Sequence, residues 1–380
     1  MLLAAAIACL LQEQAVESTH YRLTFYGGFS EAPEYVDLAE ALHEKLRAHF
    51  GAEPREKGKL EIRFWTTADD YKAGGRADGV PADRLQAGGV YWTGTRRAYF
   101  WRQPTPYSTR HLFLHELTHQ FHFLAVMNNE ARGPGWYHEG IAEYFAYHRW
   151  DGKKLETGLH DVVALEERVP HVVEAARAGR LDYAGLVRGT TPSDYGTSWA
   201  LVHYLRSTPG FKAIEPKLWK SGADASKLLL APNAEAASDA AAKYLAALRP
   251  TWKIQYVDWD QRGSDIVGRS DTTASITTRW DCTSVEATVA PAKGRASIEL
   301  RIAGGATFAL SVAGGKATFG AASVDAGAKP RLRLEVTGGR VRALVDGNEI
   351  GTADGGKPAI AALVVAGGRA VFSDVKVADR

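Results

Sequence analysis

The sequence predicts an α+β domain followed by an all-β sandwich, and three observations carry that expectation. Strand-like and helix-like segments alternate over the first hundred or so residues, helical apolar periodicity dominates from about residue 105 to 248, and both patterns stop after "YVDWDQRGSD". From Gly263 to the end, 17 of the chain's 38 glycines fall among short alternating segments such as "ASIELRI", "RLRLEVT" and "RVRALVD", the pattern of strands with one buried face. A chain of 380 residues exceeds one ordinary core and suits two domains. They fall at residues 18–260 and 261–380, with residues 1–17 as a possible signal segment.

In the first domain "HYRLTFYGG" (20–28) reads as a strand. Leu38, Leu42, Leu46 and Phe50 recur every four positions and build one apolar stripe on a helix over about 34–50. "KLEIRFWTT" (59–67) is a second strand, and "GGVYWTGTRRAYFWRQ" (88–103) holds two aromatic-rich strands around a Thr-Gly-Thr turn. Thr105 as N-cap and Pro106 at the first helical position start a helix that runs to about Met127. "NNEARGP" breaks it, a second helix covers about 135–149, and others fall near 159–178, 193–207 and 234–248. In the second domain Leu332, Leu334 and Val336 face one way and Arg331, Arg333 and Glu335 the other, and "VDGNEI" (345–350) supplies an Asp-Gly hairpin turn.

With 46 basic and 44 acidic residues the formal charge is +2. No dense Lys/Arg run is present, so no nucleic-acid partner is expected. The opening "MLLAAAIACLL" has the length of a signal-peptide apolar region and falls well short of the roughly twenty residues that span a bilayer. The expectation is a secreted, periplasmic or cell-envelope protein with no transmembrane segment, although no Lys or Arg precedes the run and no clean A-x-A site follows it. "AIAC" faintly resembles a lipoprotein box at Cys9. The only cysteines, Cys9 and Cys282, supply no disulfide framework, and Cys282 reads as a small buried hydrophobe.

"HLFLHELTHQFHF" (111–123) carries four histidines, two of them framing a glutamate as His-Glu-x-x-His. Residues four apart on a helix lie one above the other, so His115 and His119 present both imidazoles to a single point. Glu116 sits one position round, within reach of a water on a metal held there, which is the geometry of a general base. Taken alone, the same stretch is equally an aromatic core helix rich in histidine. A third ligand separates the two. "WYHEGIAEYFAY" (136–147) places Glu139 twenty positions after His119, on a helix able to fold back. Three protein ligands and one open position make a catalytic zinc arrangement, and no cysteine is at hand for a closed structural site. Glu143, one turn after Glu139, can accept the second ring N–H of a metal-bound histidine. His138 is a rival third ligand, but helix neighbours point about 100° apart, so only one of the pair suits the site. His111 and His122 read as packing or rim residues.

HELTH, followed at this spacing by W-Y-H-E-G-x-A-E-Y-F, resembles the gluzincin branch of the zincin metallopeptidases, and "EGIAEYF" is similar to the bacterial peptidase MA-like families. The resemblance covers residues 20 to 250, with the two helices matching tightly. It implies a zincin-like metallopeptidase domain in which His115, His119 and Glu139 bind Zn2+, Glu116 acts as base and then acid, and an N-terminal sheet covers the helix. The implied substrate is a peptide or protein. "SDYGTSWALVHYL" (193–205) resembles the segment that follows the glutamate helix in these families, which makes Tyr195 the expected oxyanion donor with His203 behind it. By the same resemblance, "RRAYFWR" (96–102) matches the edge strand that pairs with an extended substrate, although from the residues alone a plain sheet strand fits equally well. No Gly-x-Met-Glu-Asn motif of the exopeptidases precedes the helix, so endopeptidase action or an unusual specificity is preferred.

"RLRLEVTGGRVRALVDGNEIGTA" with the closing "GGRAVFSDVKVAD" resembles the concanavalin A-like jelly rolls of the laminin G kind, which implies a carbohydrate or surface ligand for the second domain. Trp252, Trp259 and Trp280 near the junction are expected in an interdomain core. Two functions follow: a zinc-dependent peptidase, or a weak or inactive zincin scaffold that binds a surface or glycan through its sandwich.

Overall fold

The computed structural model describes residues 13–162, 167–220, 224–230, 233–253 and 258–379. Two units are resolved: one takes the chain up to His160 and Arg168–Leu248, the other Arg249 onward together with Asp161, Val162 and Glu167. The division therefore precedes residue 260, because Trp252 and Lys253 already pair as a strand of the all-β unit.

The first unit opens with β1 (Glu13–Glu17), β2 (Tyr21–Tyr26), α1 (Ala32–Phe50), β3 (Leu60–Trp65), α2 (Ala68–Ala77), β4 (Gly89–Trp92) and β5 (Arg97–Trp101). The sheet order is β1-β2-β3-β5-β4, with β2, β3 and β5 parallel and the two outer strands antiparallel to their neighbours. Two expectations change here. Residues 13–17 of the expected signal segment form an outer strand, while the apolar run 1–11 and Cys9 lie outside the described residues. The segment 96–102 is not an edge: β5 lies between β3 and β4, because the turn after Trp92 brings β4 back along its outer side, and β4 is the outer strand on that side.

Beneath the sheet runs α3 (Pro106–Ala125). Thr105 Oγ1 accepts the Ser108 N–H at 3.0 Å, the expected N-cap. Gln120 Nε2 donates to the carbonyls of Glu61 and Arg96, both at 3.0 Å, and so ties the helix to the strands above it. Phe113, Leu114, Leu117 and Phe121 join Leu38, Leu42 and Leu46 of α1 in one buried core.

The unit continues with α4 (Gly135–Ala146), β6 (His148–Trp150), β7 (Leu155–Thr157), α5 (Arg168–Arg177), α6 (Tyr183–Arg188), α7 (Tyr195–Ser207), α8 (Phe211–Lys220), α9 (Ala225–Leu229) and α10 (Ala234–Ala247). α4 stops before residue 149 because residues 148–150 pair with β7. Within the helix expected over 159–178, the described helix covers 168–177, and residues 163–166 of that span lie outside the described residues. α4 meets α7 at Gly140, where a Cβ would stand 2.2 Å from the Ser198 carbonyl oxygen. Only glycine permits that approach.

The second unit is an antiparallel, sandwich-like sheet of β8 (Trp252–Lys253), β9 (Trp259–Arg262), β10 (Asp265–Cys282), β11 (Ser284–Arg301), β12 (Thr307–Ala313), β13 (Lys316–Phe319), β14 (Ala322–Asp325), β15 (Arg331–Thr337), β16 (Arg340–Val345), β17 (Asn348–Asp354) and β18 (Ala359–Ala378). The long β11 pairs with β15 through its first residues and with β12 through its last, so the sheet divides along it. Leu332 and Leu334 are buried while Arg331 and Arg333 face solvent, as alternation requires. Asp346 and Gly347 take positive φ and close the β16–β17 hairpin. Trp252 and Trp259 are buried in this unit's own core and Trp280 packs against it, which replaces the interdomain assignment. Cys282 is buried in the same core, as expected. Among the described residues no helix is long and apolar enough to cross a membrane.

Candidate metal centre

α3 and α4 bring the three expected ligands to one point. His119 Nε2 lies 3.0 Å from His115 Nε2, and Glu139 Oε2 lies 3.3 Å from His115 Nε2 and 3.5 Å from His119 Nε2. Among the described residues, these three form the group of side chains whose ligand atoms converge within 4.8 Å. Zn–N and Zn–O bonds of about 2.0–2.2 Å in a tetrahedron place ligand atoms roughly 3.3 Å apart, which is the spacing found. The residues present therefore fit a zinc ion.

The electrostatics agree with the donor set. Burial pushes the Glu139 carboxyl up, but the facing His119 and His115 rings outweigh it and hold the group well below the carboxylate range. Glu143 behaves alike: burial raises it, and His111 and His115 more than reverse that. For His115, burial disfavours the cation, yet Glu139 and Glu143 raise its affinity for a proton well above the usual value. The pocket draws positive charge.

Around the triad, Glu116 and Glu143 make different contacts. Glu116 Oε2 accepts the backbone N–H of Tyr91, on the outer strand β4, at 2.6 Å, and burial pushes its carboxyl up. Glu143 Oε1 stands 3.2 Å from His115 Nδ1, on the far side of the ring from the ligand nitrogen, as predicted for a carboxylate that orients a metal-bound histidine. Its other oxygen stands 3.2 Å from His111 Nε2, so His111 is more than a rim residue. The signal was available in the sequence: His111 lies one helical turn before His115, on the same face.

Tyr195 is the first residue of α7, and a capping box holds its backbone: Asp194 Oδ1 accepts the Thr197 N–H at 2.7 Å and Thr197 Oγ1 accepts the Asp194 N–H at 2.8 Å. Its ring centroid is 5.7 Å from that of His115. Burial and the carboxylates of Glu139 and Glu116 push the phenol up to about 12, so it keeps its proton at neutral pH. His115, Glu116, His119, Glu139 and Tyr195 all line one cleft of about 620 Å³, beside Tyr91 of β4.

Other histidines stand elsewhere. His138 lines the cleft but is outside the triad; its ring packs 5.5 Å from His122 and 5.6 Å from Phe123, and burial lowers it to about 4. Glu139, one position round the helix, takes the inward direction instead. His122 is fully buried and stacks on Phe50, a packing role as expected. His203 does not back Tyr195: it stacks on Trp199 and faces the Tyr244 hydroxyl at 3.0 Å. Eight residues along a helix amount to about 12 Å, which carries it away from the cleft.

Residues 112–214, a span that contains His115, Glu116, His119, Glu139, Glu143 and Tyr195, match a family model described as a protein of unknown function (DUF1570). No curated protein matches the chain. Similar solved structures include the carbohydrate-binding module CBM66 from Bacillus subtilis, at 19% identity over 34% of this chain and 96% of that one with a TM-score of 0.29. A Bacillus licheniformis β-glucanase matches at 13% identity over 34% of this chain and 83% of its own, with a TM-score of 0.26. A Crh5 transglycosylase matches at 13% over 35% and 80%, with a TM-score of 0.29.

Proposed function

We propose that this protein is a zinc-dependent peptidase of the zincin type, working outside the cytoplasm on a peptide or protein substrate. The convergence of His115 Nε2, His119 Nε2 and Glu139 Oε2, with Glu116 on the same cleft, carries the reading. Zinc, when bound, acidifies a water and polarises a carbonyl as a Lewis acid. Glu116 would take a proton from a water in the cleft as the water oxygen adds to the carbonyl carbon, and would hand that proton to the amine as the C–N bond breaks. Burial favours a carboxyl in that role, since it raises proton affinity toward neutral pH. Tyr195, protonated at neutral pH, donates its O–H to the oxyanion. Glu143 holds His115 in the tautomer whose Nε2 is free to ligate. The test is cleavage of a diverse peptide library by the zinc-loaded wild type and by Glu116→Gln, with zinc quantified in both. Equal zinc and lost cleavage in the variant are expected; equal cleavage by both removes Glu116 from its role.

A second reading makes the protein a surface or glycan binder through its all-β unit, with the first unit as a catalytically weak or inactive scaffold. The names of these similar solved structures point this way. Their overlap is about a third of the chain at TM-scores of 0.29 or lower, a general likeness of architecture. Glycan-array binding by the full chain without peptide cleavage is the outcome that favours this reading.

A further inference from the structure

We propose that Arg168 is a positioning residue for this site: its guanidinium joins the carboxylate that orients His115 to the ring of Tyr195, and so fixes the phenol at the cleft. The inference rests on the peptidase reading for its catalytic meaning and on geometry alone for its structural content. Arg168 is the first residue of α5, and its Nη1 stands 3.8 Å from Glu143 Oε1, the same oxygen that faces His115 Nδ1. Its Cζ lies 4.7 Å from the centroid of the Tyr195 ring. With the 5.7 Å approach of the Tyr195 and His115 rings, four side chains close a loop: His115, Glu143, Arg168, Tyr195.

Backbone packing holds the guanidinium in register. Gly196 follows Tyr195 at the start of α7, and a Cβ there would stand 2.8 Å from the Arg168 carbonyl oxygen, so α5 and α7 meet as closely as their chains allow. Tyr195 needs such support because the residue is 40% exposed, with one open side toward the cleft. A planar cation can bridge these two neighbours, because it covers an aromatic face and offers N–H groups in its plane to a carboxylate, which the compact ammonium of lysine does less well.

Two measurements test the proposal on the full chain, using Arg168→Met and Arg168→Lys. The Arg168 side chain is 40% exposed, so both variants are expected to fold. In metal-free protein carrying 3-fluorotyrosine at position 195, the wild type gives one sharp fluorine resonance. Arg168→Met broadens or splits it, and Arg168→Lys narrows it again only in part. In the zinc-loaded enzyme, Arg168→Met lowers kcat about 3- to 30-fold, the range of one cation–π contact, at unchanged KM and zinc content. Added to Tyr195→Phe, it lowers kcat little further. An unaltered resonance in Arg168→Met, or a full additional loss in the Tyr195→Phe background, overturns the proposal. Absence of cleavage by the wild type overturns the peptidase reading instead, and the resonance then decides the positioning of Tyr195 by itself.

Discussion

The Glu116 carboxylate accepts the backbone N–H of Tyr91 at 2.6 Å, which couples the proposed general base to the outer edge of the sheet. A donor on the main chain cannot change rotamer, so the oxygen it holds is fixed relative to β4, and the other oxygen remains for a water. The hydrogen-bonding power of that edge is thus divided between the protein's own base and any extended chain that docks on it.

Replacing Tyr91 by proline removes the N–H and leaves Glu116 in place; proline is tolerated on an edge where the N–H points away from the neighbouring strand. Tyr91→Ala is the control, losing the same ring but keeping the donor. A hydrogen bond to a charged group contributes about 1.5–3 kcal/mol, so kcat/KM in Tyr91→Pro should fall about 10- to 150-fold below that of Tyr91→Ala. Equal rates in the two variants would show that the contact does not matter to the base.

The ligand set predicts a graded response of metal content. His115→Ala, His119→Ala and Glu139→Ala should each purify with little zinc, measured by elemental analysis after dialysis. Glu143→Gln should still bind the ion, about 10- to 100-fold more weakly, in competition with a chromophoric chelator. Full affinity in the Glu139 variant would point to another third ligand, with His138 the first to examine.

The buried Glu116 carboxyl gives a stability prediction for the metal-free protein. Its folded-state proton affinity is raised, so its stabilising contribution is complete below the unfolded pKa of about 4.5 and is lost as pH rises through the folded value. At neutral pH Glu116→Gln should therefore melt at a higher temperature than the wild type when both are stripped of metal, and the gap should close toward pH 4. The carboxyls of Glu139 and Glu143 act in the opposite sense in both proteins. A gap independent of pH would count against burial as the cause.

Gly140 offers a mutation outside the ligand set. A methyl there meets the Ser198 carbonyl oxygen and Val202 Cγ2, at 2.2 and 2.6 Å, and a clash with backbone is relieved only by moving α4. Gly140→Ala should cost about 1–3 kcal/mol in denaturant unfolding and weaken zinc binding, since Glu139 is the adjacent residue. Unchanged affinity would mean that α4 can shift without moving its carboxylate.

Much of the site was legible in one dimension because its residues sit on two helices. A spacing of four puts His115 and His119 on one face, the same spacing relates Glu139 to Glu143 and His111 to His115, and all of this follows from 3.6 residues per turn. The strand, turn and helix signals were local too: Thr105 and Pro106 mark the start of α3, and Asp346-Gly347 marks a hairpin. What failed was non-local. Which strand of 88–103 is the edge depends on the side from which a hairpin joins the sheet, and whether His203 reaches the cleft depends on where α7 points.

The amino-acid order alone determined the two-unit division in kind, the helix that carries His115, Glu116 and His119, and the alternation that gives the second unit one wet face. Those features arise from periodicities of a few residues. Tertiary structure decided that β4 rather than β5 borders the cleft, that His111 and Arg168 both reach Glu143, and that Tyr195 stands beside His115. Such meetings join residues up to about a hundred positions apart, and only the packing of sheet on helix and helix on helix sets which of them touch.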